Sequence, residues 1–236
     1  MKMPPFKKFF VIYGERNSGT NYLETVISGK SWHQECSTHA FDLPILNSSA
    51  PFSSFVDNPF GHKHFFGFSD EAIKKADNVI FIGIVRNPYD WLYACCRDKH
   101  HIPENNYEFS DFLLNEWYSI RHDKHSSDYG EEILTDRDFL TGLRYKNVFQ
   151  LRKRKLQYLL ETMPKIAKNY YFVRYEDLSL DPWSFVTRIA KEHNLVMSMP
   201  IAPPVLKAPY KLETRHKWLI DQNLDWDLER KAGYLL

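Results

Sequence analysis

Unbroken apolar runs alternate along this chain with segments in which apolar positions recur every three or four residues, a pattern of strands separated by helices. Phe9-Phe10-Val11-Ile12-Tyr13 is continuous and ends at Gly14, which predicts a strand buried on both faces. From Thr20 the apolar positions follow a helical period until Gly29, with Ser18 or Thr20 as candidate N-cap. Residues 61–67 and 79–85 predict two more strands of the same sheet, and Tyr170 to Arg174 a fourth. Pro88 suits the first turn of a helix running toward Arg97, and helical patterns return at Pro182 to His193 and Leu224 to Ala232. Ser31 to Asn58 is rich in Ser, Pro and Asn without a period and reads as an irregular connection. The alternation predicts an α/β fold, a doubly wound parallel sheet with flanking helices, its ligands bound where loops leave the carboxyl ends of the strands. A chain of 236 residues fits one domain, 1–236, with a mainly helical segment at about 98–165.

Charge and cysteine content narrow the picture. Lys and Arg (31) balance Asp and Glu (30), so no global field draws the chain to nucleic acid or to an anionic membrane, and any anion site is built locally. Cys36, Cys95 and Cys96 cannot all pair, and adjacent Cys95 and Cys96 are poorly placed to bridge one another, which points to a reducing compartment. The apolar run before Glu15 is too short for a signal peptide or a membrane span, so a cytoplasmic location is expected.

The chemistry concentrates in Gly14-Glu15-Arg16-Asn17-Ser18-Gly19-Thr20-Asn21, between strand and helix, where successive backbone N–H groups and a helix N-terminus can surround an anion. Two glycines five positions apart imitate a nucleotide-hydrolase loop, but Thr20 stands where those loops carry Lys, which disfavours ATP or GTP turnover. Asn17-Ser18-Gly19-Thr20-Asn21-Tyr22 resembles the 5′-phosphosulfate loop of the sulfotransferase family, Lys-Ser-Gly-Thr-Thr-aromatic, whose fold is P-loop-NTPase-like. The resemblance implies that Ser18, Gly19, Thr20 and Asn21 hold the 5′ end of 3′-phosphoadenosine 5′-phosphosulfate, with Tyr22 toward the adenine. The family's loop lysine falls on Asn17, and Arg16 is the nearby cation available to replace it; the two cations differ in geometry.

Further segments extend the resemblance over roughly residues 9–30, 60–97 and 169–233. Arg86 matches the arginine that opens the family's 3′-phosphate motif, where a guanidinium forks onto phosphate; the serine eight residues later is replaced by Ala94. Val173 to Leu178 is also a familiar segment, in which Glu176 and Asp177 are expected to pair with Arg86 or to cap the next helix. Lys211, Arg215 and Lys217 resemble the basic segment that closes over the 3′-phosphate, and Arg215 is the candidate ligand there; a solvated charged face explains them as well.

Sulfuryl transfer needs a base for the acceptor's proton and positive charge at the leaving phosphate. In His62-Lys63-His64 the family's Lys-Thr-His base corresponds to His64, with Lys63 a second candidate, although strand alternation would turn Lys63 away from the histidines. The resemblance implies a small-molecule or glycan acceptor and no metal. His122 to His125, and Cys95 and Cys96 with His100 and His101, lack a complete zinc pattern. Arg152-Lys153-Arg154-Lys155 reads as the solvated face of a helix, and the aromatic-rich stretch from Trp91 to Tyr118 as core. Two rivals remain: a sulfotransferase-shaped binding module without turnover, suggested by Asn17 and Ala94, and a kinase-like phosphotransferase.

Overall fold

The computed structural model describes residues 8–31, 34–35, 39–47, 58–99, 101–122, 127–198 and 212–235. In chain order the elements are β1 (Phe9–Tyr13), α1 (Thr20–Ser28), β2 (Lys30–Ser31), β3 (Gln34–Glu35), α2 (Asp70–Lys74), β4 (Val79–Val85), α3 (Pro88–Asp98), α4 (Phe109–Leu114), α5 (Val148–Gln157), α6 (Met163–Ile166), β5 (Tyr170–Arg174), α7 (Tyr175–Leu180), α8 (Pro182–His193), α9 (Thr214–Asn223) and α10 (Trp226–Lys231). The chain divides into two compact units, Met1–Val85 with Glu161–Lys207 and Arg86–Leu160 with Ala208–Leu236.

The first unit holds a three-stranded parallel sheet in the order β1-β4-β5, and β2 and β3 form a separate antiparallel pair. All seven residues of β4 are buried, as its unbroken apolar sequence requires of a central strand covered on both faces. Phe10, Ile12, Ile80 and Ile82 meet Leu23 and Ile27 of α1 and Val186 and Ile189 of α8 in one core. On the other face the Tyr13 ring packs against Phe66 and Phe81, and Phe60 against Phe81. The outer edge of β1 is not bare. Phe10 donates to Pro44 O and accepts from Leu46 N, while the buried Asn47 amide bonds both Ile12 N and Ile12 O. Part of the connection expected to be irregular thus covers a sheet edge.

The segment 61–67, expected as a strand of this sheet, is instead a turn. Phe65 N donates to His62 O at 3.1 Å, and Gly61 adopts φ +69°. The backbone is bent too sharply to pair along a ladder, and only an isolated bridge joins His62 and Phe65.

The second unit has a helical core in which Trp91, Leu92, Phe112, Trp117, Phe149 and Ile220 are buried, which places Trp91, Phe112 and Trp117 of the aromatic-rich stretch in a core, with Tyr107 and Phe109 packed against it. The basic run on α5 is only in part a solvated face, with Lys153 exposed. Arg152 and Lys155 are buried, 4% and 2% exposed, in ion pairs with Glu229 and Asp136, and Arg154 and Lys153 pair with Asp138 and Asp225. Ser119 also donates to Asp136. The acids that neutralise the run come from elsewhere in the chain, so the local pattern gave no sign of them. The helix expected at 224–232 is confined to α10, with α9 preceding it.

Candidate functional site

β1 delivers the chain into the loop 14–19 at the carboxyl end of the sheet. Gly14 is required by close approach: a Cβ there would lie 2.7 Å from both Cγ2 and the carbonyl oxygen of Ile84 and 2.8 Å from Ser18 Oγ. Gly19 has φ +95°, and a Cβ would lie 2.2 Å from the ring of Tyr175, so both backbone sign and space exclude a side chain. Asn17 is also left-handed, at φ +61°. Neither Ser18 nor Thr20 caps α1. The N-cap is Gly19, which has no side chain to make a cap bond, and the Ser18 hydroxyl instead donates to Glu15 O at 2.5 Å within the loop. Ser18 and Thr20 are both buried. The first turn of this nine-residue helix carries no acidic side chain, so its N-terminal amides keep their positive character. The loop's conformation and donor chemistry fit a phosphate group. The Tyr22 ring meets Tyr175 edge-on, 6.3 Å between centroids.

The turn 62–65 is fastened to this loop. Gly14 N donates to Lys63 O at 3.0 Å, and His64 Nδ1 lies 2.7 Å from Gly14 O. A carbonyl only accepts, so Nδ1 carries the proton. Burial, together with the charges of His62, Lys63 and Arg16, holds the half-buried His64 well below the ordinary imidazole range and hence neutral near pH 7. A neutral imidazole protonated at Nδ1 has its lone pair on Nε2, the arrangement of a general base. Arg16 extends its guanidinium over the Phe65 ring, 5.0 Å from its centre.

Lys63 goes elsewhere. Its ammonium donates to Asn21 Oδ1 at 2.7 Å and to both oxygens of Glu24 at 2.9 Å, in a pair whose side chains are 6% and 0% exposed. Burial pushes Glu24 up to about 7, against the pull of the Lys63 charge and hydrogen bonds. Sequence reasoning missed Glu24; the available signal was an acid set between Leu23, Val26 and Ile27 on the buried side of α1.

In the other unit, Arg86 directly follows β4, and its carbonyl accepts from Arg152 at 3.0 Å. Asn87 caps α3 by accepting from Tyr89 N and Asp90 N. Ala94 is buried on α3. Arg215 is on the exposed face of α9, and Lys217 pairs with Asp221 at 2.7 Å; Lys211 lies outside the described residues. Asp177 pairs with Arg174, and the cap of α8 is Asp181, which accepts from Ser184 N.

Cys95 and Cys96 are buried, and burial pushes Cys96 up to about 11. Cys36, His100 and residues 123–125 lie outside the described residues. Among the described residues no group of three or more His, Cys, Asp or Glu is placed to hold a metal ion, and no helix is long and apolar enough to cross a membrane.

The mixed α/β architecture, a parallel three-stranded sheet with flanking helices, is consistent with a sulfotransferase fold. The chain is similar to the crystal structure of a sulfotransferase from Alicyclobacillus acidocaldarius, with a TM-score of 0.51 and 12% identity over 100% of this chain and 98% of that one. No protein-family model matches the chain, and no curated protein sequence does.

Proposed function

We propose that the chain is a sulfotransferase that moves a sulfuryl group from 3′-phosphoadenosine 5′-phosphosulfate to a hydroxyl or amine of a small-molecule or glycan acceptor. The observation that carries this reading is the bond between His64 Nδ1 and Gly14 O, which sets the basic Nε2 of a neutral imidazole on a residue tied to the anion-binding loop. When bound, the donor supplies an activated sulfuryl group. His64 Nε2 takes the acceptor's proton as the acceptor atom attacks sulfur, and the electron pair of the broken sulfur–oxygen bond stays on the 5′-phosphate. Amides of the loop and of the first turn of α1 other than those of Gly14 and Ser18 hold that phosphate, with Asn17, Ser18, Thr20 and Asn21 lining it and Arg16 supplying positive charge. Tyr22 is assigned to the adenine side, and Arg86, with Arg215, to the 3′-phosphate. Lys63 acts through Glu24 and Asn21, fixing the turn to α1, rather than as a cation on the transferring group. A cytoplasmic location is part of the same reading.

Calorimetric titration with adenosine 3′,5′-bisphosphate and, separately, with magnesium ATP tests the proposal. Binding of the bisphosphate that weakens in Arg86→Ala supports it, followed by acceptor screening with the phosphosulfate donor. Binding of magnesium ATP alone selects the kinase-like reading. Bisphosphate binding with no transfer to any acceptor selects a donor-binding module without turnover, the reading favoured by the neutralisation of Lys63 by Glu24.

A further inference from the structure

Arg86 sits at a junction that the surrounding chain holds with unusual care. Arg152 of α5 forks onto Glu229 of α10, Nε to Oε1 at 2.5 Å and one terminal nitrogen to Oε2 at 2.7 Å. Both residues are buried, 4% and 1% exposed. That same terminal nitrogen reaches the carbonyl oxygen of Arg86 at 3.0 Å, and the guanidinium lies over the Trp91 ring, 5.0 Å from its centre. A planar fork saturated by a carboxylate has little rotational freedom. Its bond to the Arg86 carbonyl therefore fixes the backbone of Arg86 between the end of β4 and the Asn87 cap of α3.

We propose that Arg152, oriented by Glu229, is a positioning residue for Arg86 and sets how strongly the protein discriminates a nucleotide bearing a 3′-phosphate from one without it. The inference rests on the donor reading above. A buried ion pair alone is weak evidence of stabilisation, since apolar residues of similar volume often do as well. What an apolar pair cannot supply is a donor to the Arg86 carbonyl. Bidentate recognition of phosphate needs its guanidinium placed accurately, so a loosened backbone costs the 3′-phosphate contact and leaves 5′-phosphate binding in the loop intact.

The test compares affinities for adenosine 3′,5′-bisphosphate and adenosine 5′-monophosphate in the full chain. Wild type is expected to favour the bisphosphate by roughly ten- to a hundredfold, the usual worth of a hydrogen bond to a charged group. Arg86→Ala should bring the ratio near one. Arg152→Lys keeps a charge opposite Glu229 but lacks the planar fork, and should lower the ratio several-fold with monophosphate affinity unchanged. The double variant Arg152→Met/Glu229→Met removes the buried charges together, protects the fold and should lower the ratio equally. A wild type that does not distinguish the two nucleotides sinks the donor reading itself. A ratio that falls in Arg86→Ala but keeps its wild-type value in folded Arg152 variants overturns the positioning role alone. Failure of both Arg152 variants to fold assigns the pair to stability and also overturns it.

Discussion

Replacing Glu24 by Gln removes one ionisation from the buried contact with Lys63 while keeping its shape, and the consequence for stability has a definite sign. In the folded chain burial holds the Glu24 proton up to about pH 7, whereas an ordinary glutamate releases it near 4.5. Below the lower value both states are protonated and the group contributes no slope. Between the two values the native state binds more protons than the unfolded one, so stability falls as pH rises, and above about 7 the loss is complete. The gap corresponds to at most about 3 kcal/mol, or roughly 6 to 12 °C in Tm for a chain of this size. Glu24→Gln lacks this slope. The margin of wild type over the variant should therefore shrink between pH 4 and pH 8, measured by urea or thermal unfolding of both proteins across that range. A constant margin would mean that Glu24 titrates alike in both states. A margin that widens with pH would mean that the Lys63 charge outweighs burial, and the reasoning would be refuted.

Gly19→Ala should destabilise the chain by about 2 to 4 kcal/mol, combining left-handed backbone strain with overpacking against Tyr175; Tyr175→Ala in the same chain should recover the packing part, and a neutral Gly19→Ala in denaturant unfolding would contradict the geometry. Once an acceptor is found, the acid limb of kcat/KM assigned to His64 should fall below pH 6.5, since its proton affinity is depressed; a limb at or above 6.5 would mean that a different group titrates. His64→Ala should abolish that limb and most turnover while calorimetry shows bisphosphate binding retained. Lys155→Met should cost about 3 to 5 kcal/mol by leaving the Asp136 carboxylate buried without its cation, and Lys155→Met/Asp136→Asn should recover much of it in the same unfolding assay.

The strands and helices legible in the sequence were those whose information is local. β1, β4 and β5 are runs of apolar residues, and Asn87-Pro88 and Asp181-Pro182 mark the starts of α3 and α8 by cap and first-turn chemistry. The loop was legible because its glycines stand out in the sequence, although the neighbours that require them, Ile84 at Gly14 and Tyr175 at Gly19, lie far along the chain. His62-Lys63-His64 misled because the apolar and aromatic residues around it imitate a strand, while a bond closing on Phe65 decides for a turn. That turn removes the objection that alternation would part Lys63 from His64, yet the destination of Lys63 was invisible because Glu24 lies far from it in sequence. Arg152 and Lys155 escaped for the same reason: a basic run looks solvated until remote acids are brought to it.

Fastening the turn to the loop through Gly14, once by its N–H and once by its carbonyl, has a consequence for how this chain can change. The group that would activate an acceptor and the first peptide of the loop that would hold a donor share one residue's hydrogen bonds, so neither can be re-aimed without moving the other. Evolution or engineering toward a new acceptor must then leave residues 62–65 in place and work through the more distant walls of the site.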